Sequence, residues 1–177
     1  MTKPTLFLMV GLPGSGKSTR ARELEHESGA MRLSPDEWMM PLFGLSDVDG
    51  RRDVLEGRLI WVATQALQRG TNVILDFGLW GRDERAALHW LAASLGATAQ
   101  TVFLDVDPET QLARVTQRWR EAPGDTWEMD RDALENWRAA FQAPERDELS
   151  GSWTPPPPNG AETWHDWLSD RWPTSIP

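Results

Sequence analysis

The chain of 177 residues has no cysteine and no tyrosine, only three histidines, and fewer basic than acidic side chains. Without cysteine there is no disulfide, no thiol nucleophile and no thiolate metal site. The histidines at 26, 89 and 165 are too scattered to read as a ligand cluster. With 18 basic against 27 acidic side chains the net charge is −9, which repels a polyanion unless the basic residues gather on one face. A nucleic-acid partner is therefore disfavoured and a small substrate favoured. The N-terminal apolar run, Leu6-Phe7-Leu8-Met9-Val10, is far shorter than a membrane span and lacks a signal-peptide layout, so a soluble, cytoplasmic protein is expected. No internal repeat and no second cluster of strands argues for more than one domain. In place of tyrosine stand 11 tryptophans, for which composition offers no physical account.

What the chain does have is a glycine-punctuated stretch, Gly11-Leu12-Pro13-Gly14-Ser15-Gly16-Lys17-Ser18-Thr19, set between that apolar run and a helical pattern. This is the G-x-x-x-x-G-K-[ST] spacing of a Walker A phosphate loop. Glycines at 11, 14 and 16 let the backbone turn tightly, so that successive amides point into one concavity. The helix starting near Lys17 adds its positive dipole end. Lys17 supplies a point charge for the β- and γ-phosphates of a nucleotide, and the Ser18 hydroxyl is the expected ligand of Mg²⁺. The expected nucleotide contacts are Gly11, Pro13, Gly14, Ser15, Gly16, Lys17, Ser18 and Thr19.

Periodicity predicts strands over Thr5 to Val10, Ala30 to Leu33, Thr71 to Phe77 and Ala99 to Val106, the first continuously apolar in the manner of a strand buried on both faces. Helices are predicted over Ser18 to Ser28, closed by Gly29, and from Ser34 to about Phe43, with Ser34 and Glu37 in capping-box spacing around Pro35. Further helices follow up to Gly70, over Arg82 to Leu95, from Asp107 through Arg120, and over Asp130 to Gln142. Leu42 to Asp49 reads as a loop. Pro155 to Pro158 leaves any fifth strand short, near Leu149 to Trp153, or absent, and Trp164, Trp167 and Trp172 are expected to pack back on the domain. The alternation predicts a three-layer α/β/α fold with a parallel sheet of four to five strands and ligands at its C-terminal edge. It is divided as a domain over 1–149 and a Pro- and Trp-rich tail over 150–177.

Three sets of carboxylates lie on that edge. Asp76 ends the third strand after Val73-Ile74-Leu75, the layout of a Walker B acid that holds Mg²⁺ through water. Asp36 stands in the first turn of the second helix, where it serves either chemistry or the helix dipole. Asp105 and Asp107 read as turn and cap residues. Arg114 and Arg118 form an i, i+4 pair, with Arg120 close by, ahead of the Pro123-Gly124 break and the polar segment Glu121 to Asp130. This is the outline of a helical lid over about 114–130, whose arginines can stabilise a transferring phosphoryl group. Trp38, Phe43 and Trp80 are candidates for an acceptor pocket or for the core.

GLPGSGKST, RLSPDEWM, NVILD and RVTQRWR…DRDALENWRAAFQAP together resemble the small P-loop kinases grouped with zeta toxins, chloramphenicol phosphotransferase and polynucleotide 5′-kinases, with their AAA-type ATP-binding domain. The resemblance covers residues 5 to about 149. It implies that Asp36 is the general base for an acceptor hydroxyl. It further implies that Arg114 meets the base or ribose of ATP and Arg118 the phosphates, with Arg120 a substitute. Where polynucleotide kinases place an arginine after the base this chain has Met39, and Phe77-Gly78 stands where a polar pair often follows the Walker B-like aspartate. The function expected is transfer of the γ-phosphoryl of ATP to a small-molecule hydroxyl, with Asp36, Lys17 and Arg118 catalytic and Ser18 and Asp76 on Mg²⁺. The alternatives are a nucleic-acid 5′-end kinase and a nucleotide-binding switch or slow ATPase without an acceptor.

Overall fold

In the computed structural model, which describes residues 3–44, 49–122, 128–151, 153 and 155–176, the apolar run forms β1 (Thr5–Val10) inside a parallel sheet. Side chains on a strand alternate between faces, and both faces of β1 are covered. Leu6, Leu8 and Val10 enter the larger core, while Phe7 and Met9 meet Ala21 and Leu24 on the opposite side. The strand β3 (Val73–Gly78) divides in the same way, Val73 and Leu75 against Ile74. With β2 (Met31–Leu33) and β4 (Thr98–Phe103) at the edges, the order is β2-β3-β1-β4, all parallel. The helix α1 (Lys17–Ser28) lies on one face, and α3 (Arg51–Gln68) and α4 (Arg82–Ser94) on the other. This is the expected three-layer α/β/α arrangement.

The sheet order decides where the site lies. Because β1 and β3 are neighbours, their C-terminal ends come together, Val10 opposite Gly78 after a shift in register. The Gly11 amide then donates to the Gly78 carbonyl at 3.3 Å, so the loop that follows β1 starts beside Asp76.

Several element ends differ from expectation. The helix α2 (Pro35–Phe43) begins after Ser34, but no side-chain cap forms there. The Glu37 carboxylate is drawn instead to Arg32 and Arg22, so the capping box does not close. The strand β4 stops at Phe103 because Asp105 bends the chain, its carboxylate accepting from the Val106 amide at 2.8 Å. Asp107 then caps α5 (Pro108–Glu121) through the Thr110 amide. Asp130 caps α6 (Arg131–Ala140) through the Ala133 amide. The expected Pro123-Gly124 break lies outside the described residues, as does 45–48 of the loop before α3.

Among the described residues the sheet has four strands. Leu149 closes a helical turn, α7 (Arg146–Leu149), instead of opening a fifth strand. The cause is Glu148, whose carboxylate forms a fully buried pair with Arg85, Nε to Oε2 at 2.6 Å and Nη2 to Oε1 at 3.1 Å. Arg85 also donates to the Leu79 carbonyl at 3.0 Å, holding a non-glycine residue at φ 42 and fixing the turn after β3.

Beyond the proline run a further helix, α8 (Trp164–Arg171), follows, with Trp164, Leu168 and Trp172 buried in the larger core. Arg171 pairs with Asp53 and Glu84, yet partly exposed pairs give only ~0–1 kcal/mol each. Burying an indole of about 150–250 Å² gives roughly 4–6 kcal/mol, so tryptophan burial is what holds the segment down. None of the described helices is long and apolar enough to cross a membrane.

Candidate active site

The loop between β1 and α1 is shaped by left-handed glycines at Gly11, Gly14 and Gly16. At Gly11 a β-carbon would fall 2.6 Å from the Leu104 carbonyl oxygen, and at Gly14 one would sit 3.1 Å from Val115. The helix α1 starts on Gly16 with no side-chain cap and no acidic residue in its first turn. Its leading amides, including those of Lys17 and Ser18, have no intrahelical acceptor, and its dipole is uncompensated. Ser15 Oγ is buried with no hydrogen-bond partner among the described residues.

Lys17 donates from Nζ to the Leu12 carbonyl at 2.9 Å. Burial pushes its pKa down to about 8, with Arg118 acting in the same direction and the charges of Asp76 and Asp36 opposing it. Asp76, near the C-terminal end of β3, is buried, with Ser18 close by. Burial pushes its carboxyl up, against Ser18, Arg32 and Lys17, which favour the ionised form. Arg32 Nη1 donates to Asp76 Oδ2 at 3.1 Å, with side chains 8% and 2% exposed.

Asp36 sits in the first turn of α2 with its side chain 72% exposed, paired to Arg52 Nη1 at 2.9 Å. It thus faces solvent while its charge still acts on Lys17 and Asp76. Met39 is wholly buried, whereas Trp38 is exposed. Trp80 lies against Trp137, and a β-carbon at Gly78 would fall between its ring and the Lys17 stem.

The arginine helix α5 is tied to the loop from above. Arg114 Nη1 donates to the Gly14 carbonyl at 3.1 Å, and Gln111 Nε2 to that of Pro13, also at 3.1 Å. Arg138, from α6, donates to Gln111 Oε1 at 2.6 Å and to the Val106 carbonyl at 2.9 Å. Arg118 and Arg120 are exposed on α5, and Thr19 is exposed on α1.

A nucleoside triphosphate fits these residues. The glycines leave room for phosphate oxygens, while uncapped amides, an orphaned Ser15 hydroxyl and Lys17 supply donors. The Ser18 hydroxyl and the nearby Asp76 carboxylate are hard oxygen ligands of the kind Mg²⁺ takes alongside phosphates. Among the described residues no group of three His, Cys, Asp or Glu side chains stands ready to hold a metal alone.

Sequence reading missed Arg32, Arg52, Gln111 and Arg138. Only Arg32 carried a signal, a charge inside a strand whose neighbours are apolar.

Among curated proteins the comparison found no match. Among solved structures, a chain of the Pnkp1/Rnl/Hen1 RNA repair complex is similar at 22% identity and a TM-score of 0.68 over 79% of this chain and 44% of that one. This chain therefore spans less than half the length of that relative. Chaetomium thermophilum Kti12 in complex with ADP-AlF3 is similar at 18% identity and a TM-score of 0.64, over 98% of this chain and 100% of that one. A gluconokinase from Sinorhizobium meliloti is similar at 17% identity and a TM-score of 0.56, over 81% and 78%. At such identities the likeness is one of fold. The family described as an AAA domain (AAA_33) matches residues 6–144, most of the chain and all of the site just described, and the chain belongs to this P-loop kinase-like family.

Proposed function

We propose that the chain transfers the γ-phosphoryl group of ATP to a hydroxyl of a small molecule. The observation that carries this reading is a second, solvent-facing carboxylate beside the loop: Asp36, in the first turn of α2 and paired with Arg52, acts on Lys17 together with Asp76 of β3 and Arg118 of α5. Lys17 and a Walker B-like Asp76 alone would serve a switch equally well. A second, solvent-facing carboxylate is suited to accept the proton of an acceptor hydroxyl.

In this reading the loop amides, Ser15 and Lys17 hold the phosphates. Ser18 and Asp76 would hold Mg²⁺, which would supply charge neutralisation to the phosphates. Arg114 serves the nucleotide and Arg118 the transferring group, from a lid of about 114–130 on a domain of 1–149 that works in the cytoplasm. The hydroxyl proton passes to the Asp36 carboxylate as the acceptor oxygen bonds to the γ-phosphorus. The bond from that phosphorus to the bridging oxygen breaks, and ADP leaves.

The similarity to an RNA repair chain favours a second reading, a nucleic-acid 5′-end kinase. The net charge of −9 and the burial of Met39 count against it, and end-labelling at varied salt separates the two.

Asp36→Asn tests the assignment, because the amide keeps the shape. A general base contributes on the order of 10²–10⁴-fold, so phosphoryl transfer falls by at least ~10² with melting temperature and ATP affinity nearly unchanged. Loss of stability with turnover per folded molecule retained would make Asp36 a helix-dipole residue only.

A further inference from the structure

Asp36 is connected to the far end of the chain. From Asp36 Oδ1 the ion pair leads to Arg52 Nη1 at 2.9 Å, and Arg52 Nε donates to Glu56 Oε1 at 3.0 Å. The other carboxylate oxygen, Glu56 Oε2, accepts from the indole Nε1 of Trp172 at 2.8 Å. Exposure falls along this path: Asp36 faces solvent, Arg52 is partly covered, Glu56 is buried and Trp172 is wholly buried. Trp172 lies beyond residues 6–144, the part that the family matches.

The segment around Trp172 is seated on the first half of α3, the half that carries Arg52 and Glu56. A β-carbon at Gly57 would fall 2.1 Å from the Pro173 carbonyl oxygen. The Thr174 hydroxyl donates to the Val54 carbonyl at 3.1 Å, and Arg171 reaches Asp53 at 2.7 Å. Burial pushes the Glu56 carboxyl up, and Arg52 and the Trp172 indole oppose that. An exposed ion pair such as Arg52–Asp36 adds little to stability. What it does is restrict where an otherwise free carboxylate points.

We propose that the C-terminal segment is part of the active site's supporting structure, with Trp172, Glu56 and Arg52 acting as positioning residues that set the place of the Asp36 carboxylate. This rests on the phosphotransferase reading for its effect on turnover, but not for the connection itself.

Trp172→Phe deletes the indole N–H and keeps an aromatic ring, and Glu56→Gln, which can accept from Trp172 or Arg52 but not from both, is the alternative if the first variant folds poorly. Two measurements are made on the full chain. The Arg52 Nε–H resonance, followed by ¹⁵N-resolved NMR without nucleotide or acceptor, shifts or broadens in either variant if the connection exists. Acceptor-dependent kcat falls by roughly tenfold, since small misplacements of reacting groups cost up to ~10², while KM for ATP stays the same. In an Asp36→Asn background the same substitutions leave kcat unchanged, because nothing remains for them to position. An unmoved Arg52 resonance overturns the proposal, as does an equal fold-loss in kcat with and without Asp36. If the wild-type chain phosphorylates no acceptor, the kinase reading fails by itself and the NMR measurement still decides the connection.

Discussion

Lys17 occupies a place where its charge is costly until a polyanion arrives. Burial holds its pKa at about 8, below the ordinary 10.5. Between those two values the folded chain binds fewer protons than the unfolded one, so stability of the nucleotide-free protein rises with pH across that window. Phosphates beside the ammonium reverse the preference, and nucleotide binding at about pH 8.5 therefore takes up protons. Titration calorimetry in buffers of different ionisation enthalpy reads this directly. Uptake that disappears in Lys17→Ala is the expected result, and binding with no proton uptake would contradict it. For Arg118, exposed and charged within reach of Lys17, Arg118→Ala lowers kcat more than it raises KM for ATP, since only contacts that strengthen during transfer affect the chemical step. A pure KM effect would assign it to ground-state binding. The residues legible in the sequence were those fixed by local spacing, Lys17 and Ser18 in the loop and Asp76 at its strand end. Arg32, Arg52, Gln111 and Arg138 reach the site only through strand order and helix packing, which no short pattern encodes.

Among elements, those with strong periodicity lie where the pattern puts them, and the departures have electrostatic causes. Glu37 leaves the N-terminus of α2 for two arginines. Glu148 joins Arg85 inside the core and fixes the helical turn α7, which ends at Leu149, where a short fifth strand could have begun. Such long-range pairs are invisible to a window of neighbouring residues. The helix α3 carries a glycine in its middle, Gly57, which on propensity alone costs about 1 kcal/mol relative to alanine. Pro173 explains it, because the carbonyl oxygen sits where a β-carbon would be, 2.1 Å away. Gly57→Ala, stabilising in an isolated helix, here destabilises by roughly 1–3 kcal/mol by overpacking, read as a lowered melting temperature. A raised melting temperature would show that the C-terminal segment is not seated on α3.

At the scale of the molecule, the alternation of strands and helices was enough to predict three layers with the phosphate loop at the sheet's C-terminal edge. It gave no sign of α8, which packs against α4 with Trp164 and Leu168 buried, while Trp172 just beyond it reaches Glu56 of α3. The whole then consists of a phosphate-binding edge built by β1, β3 and α1, covered by α5 and α6, with Asp36 on its solvent side. The account stands or falls on transfer to an acceptor. The measurement is ADP release from ATP and Mg²⁺ across a panel of hydroxyl-bearing metabolites, nucleosides and antibiotics, with phosphorylated product followed by ³¹P NMR. The result predicted is release stimulated by at least one compound, with product equal to ADP formed and no transfer in Lys17→Ala. Slow ADP release that no hydroxyl compound changes, with inorganic phosphate as the sole product, would contradict it.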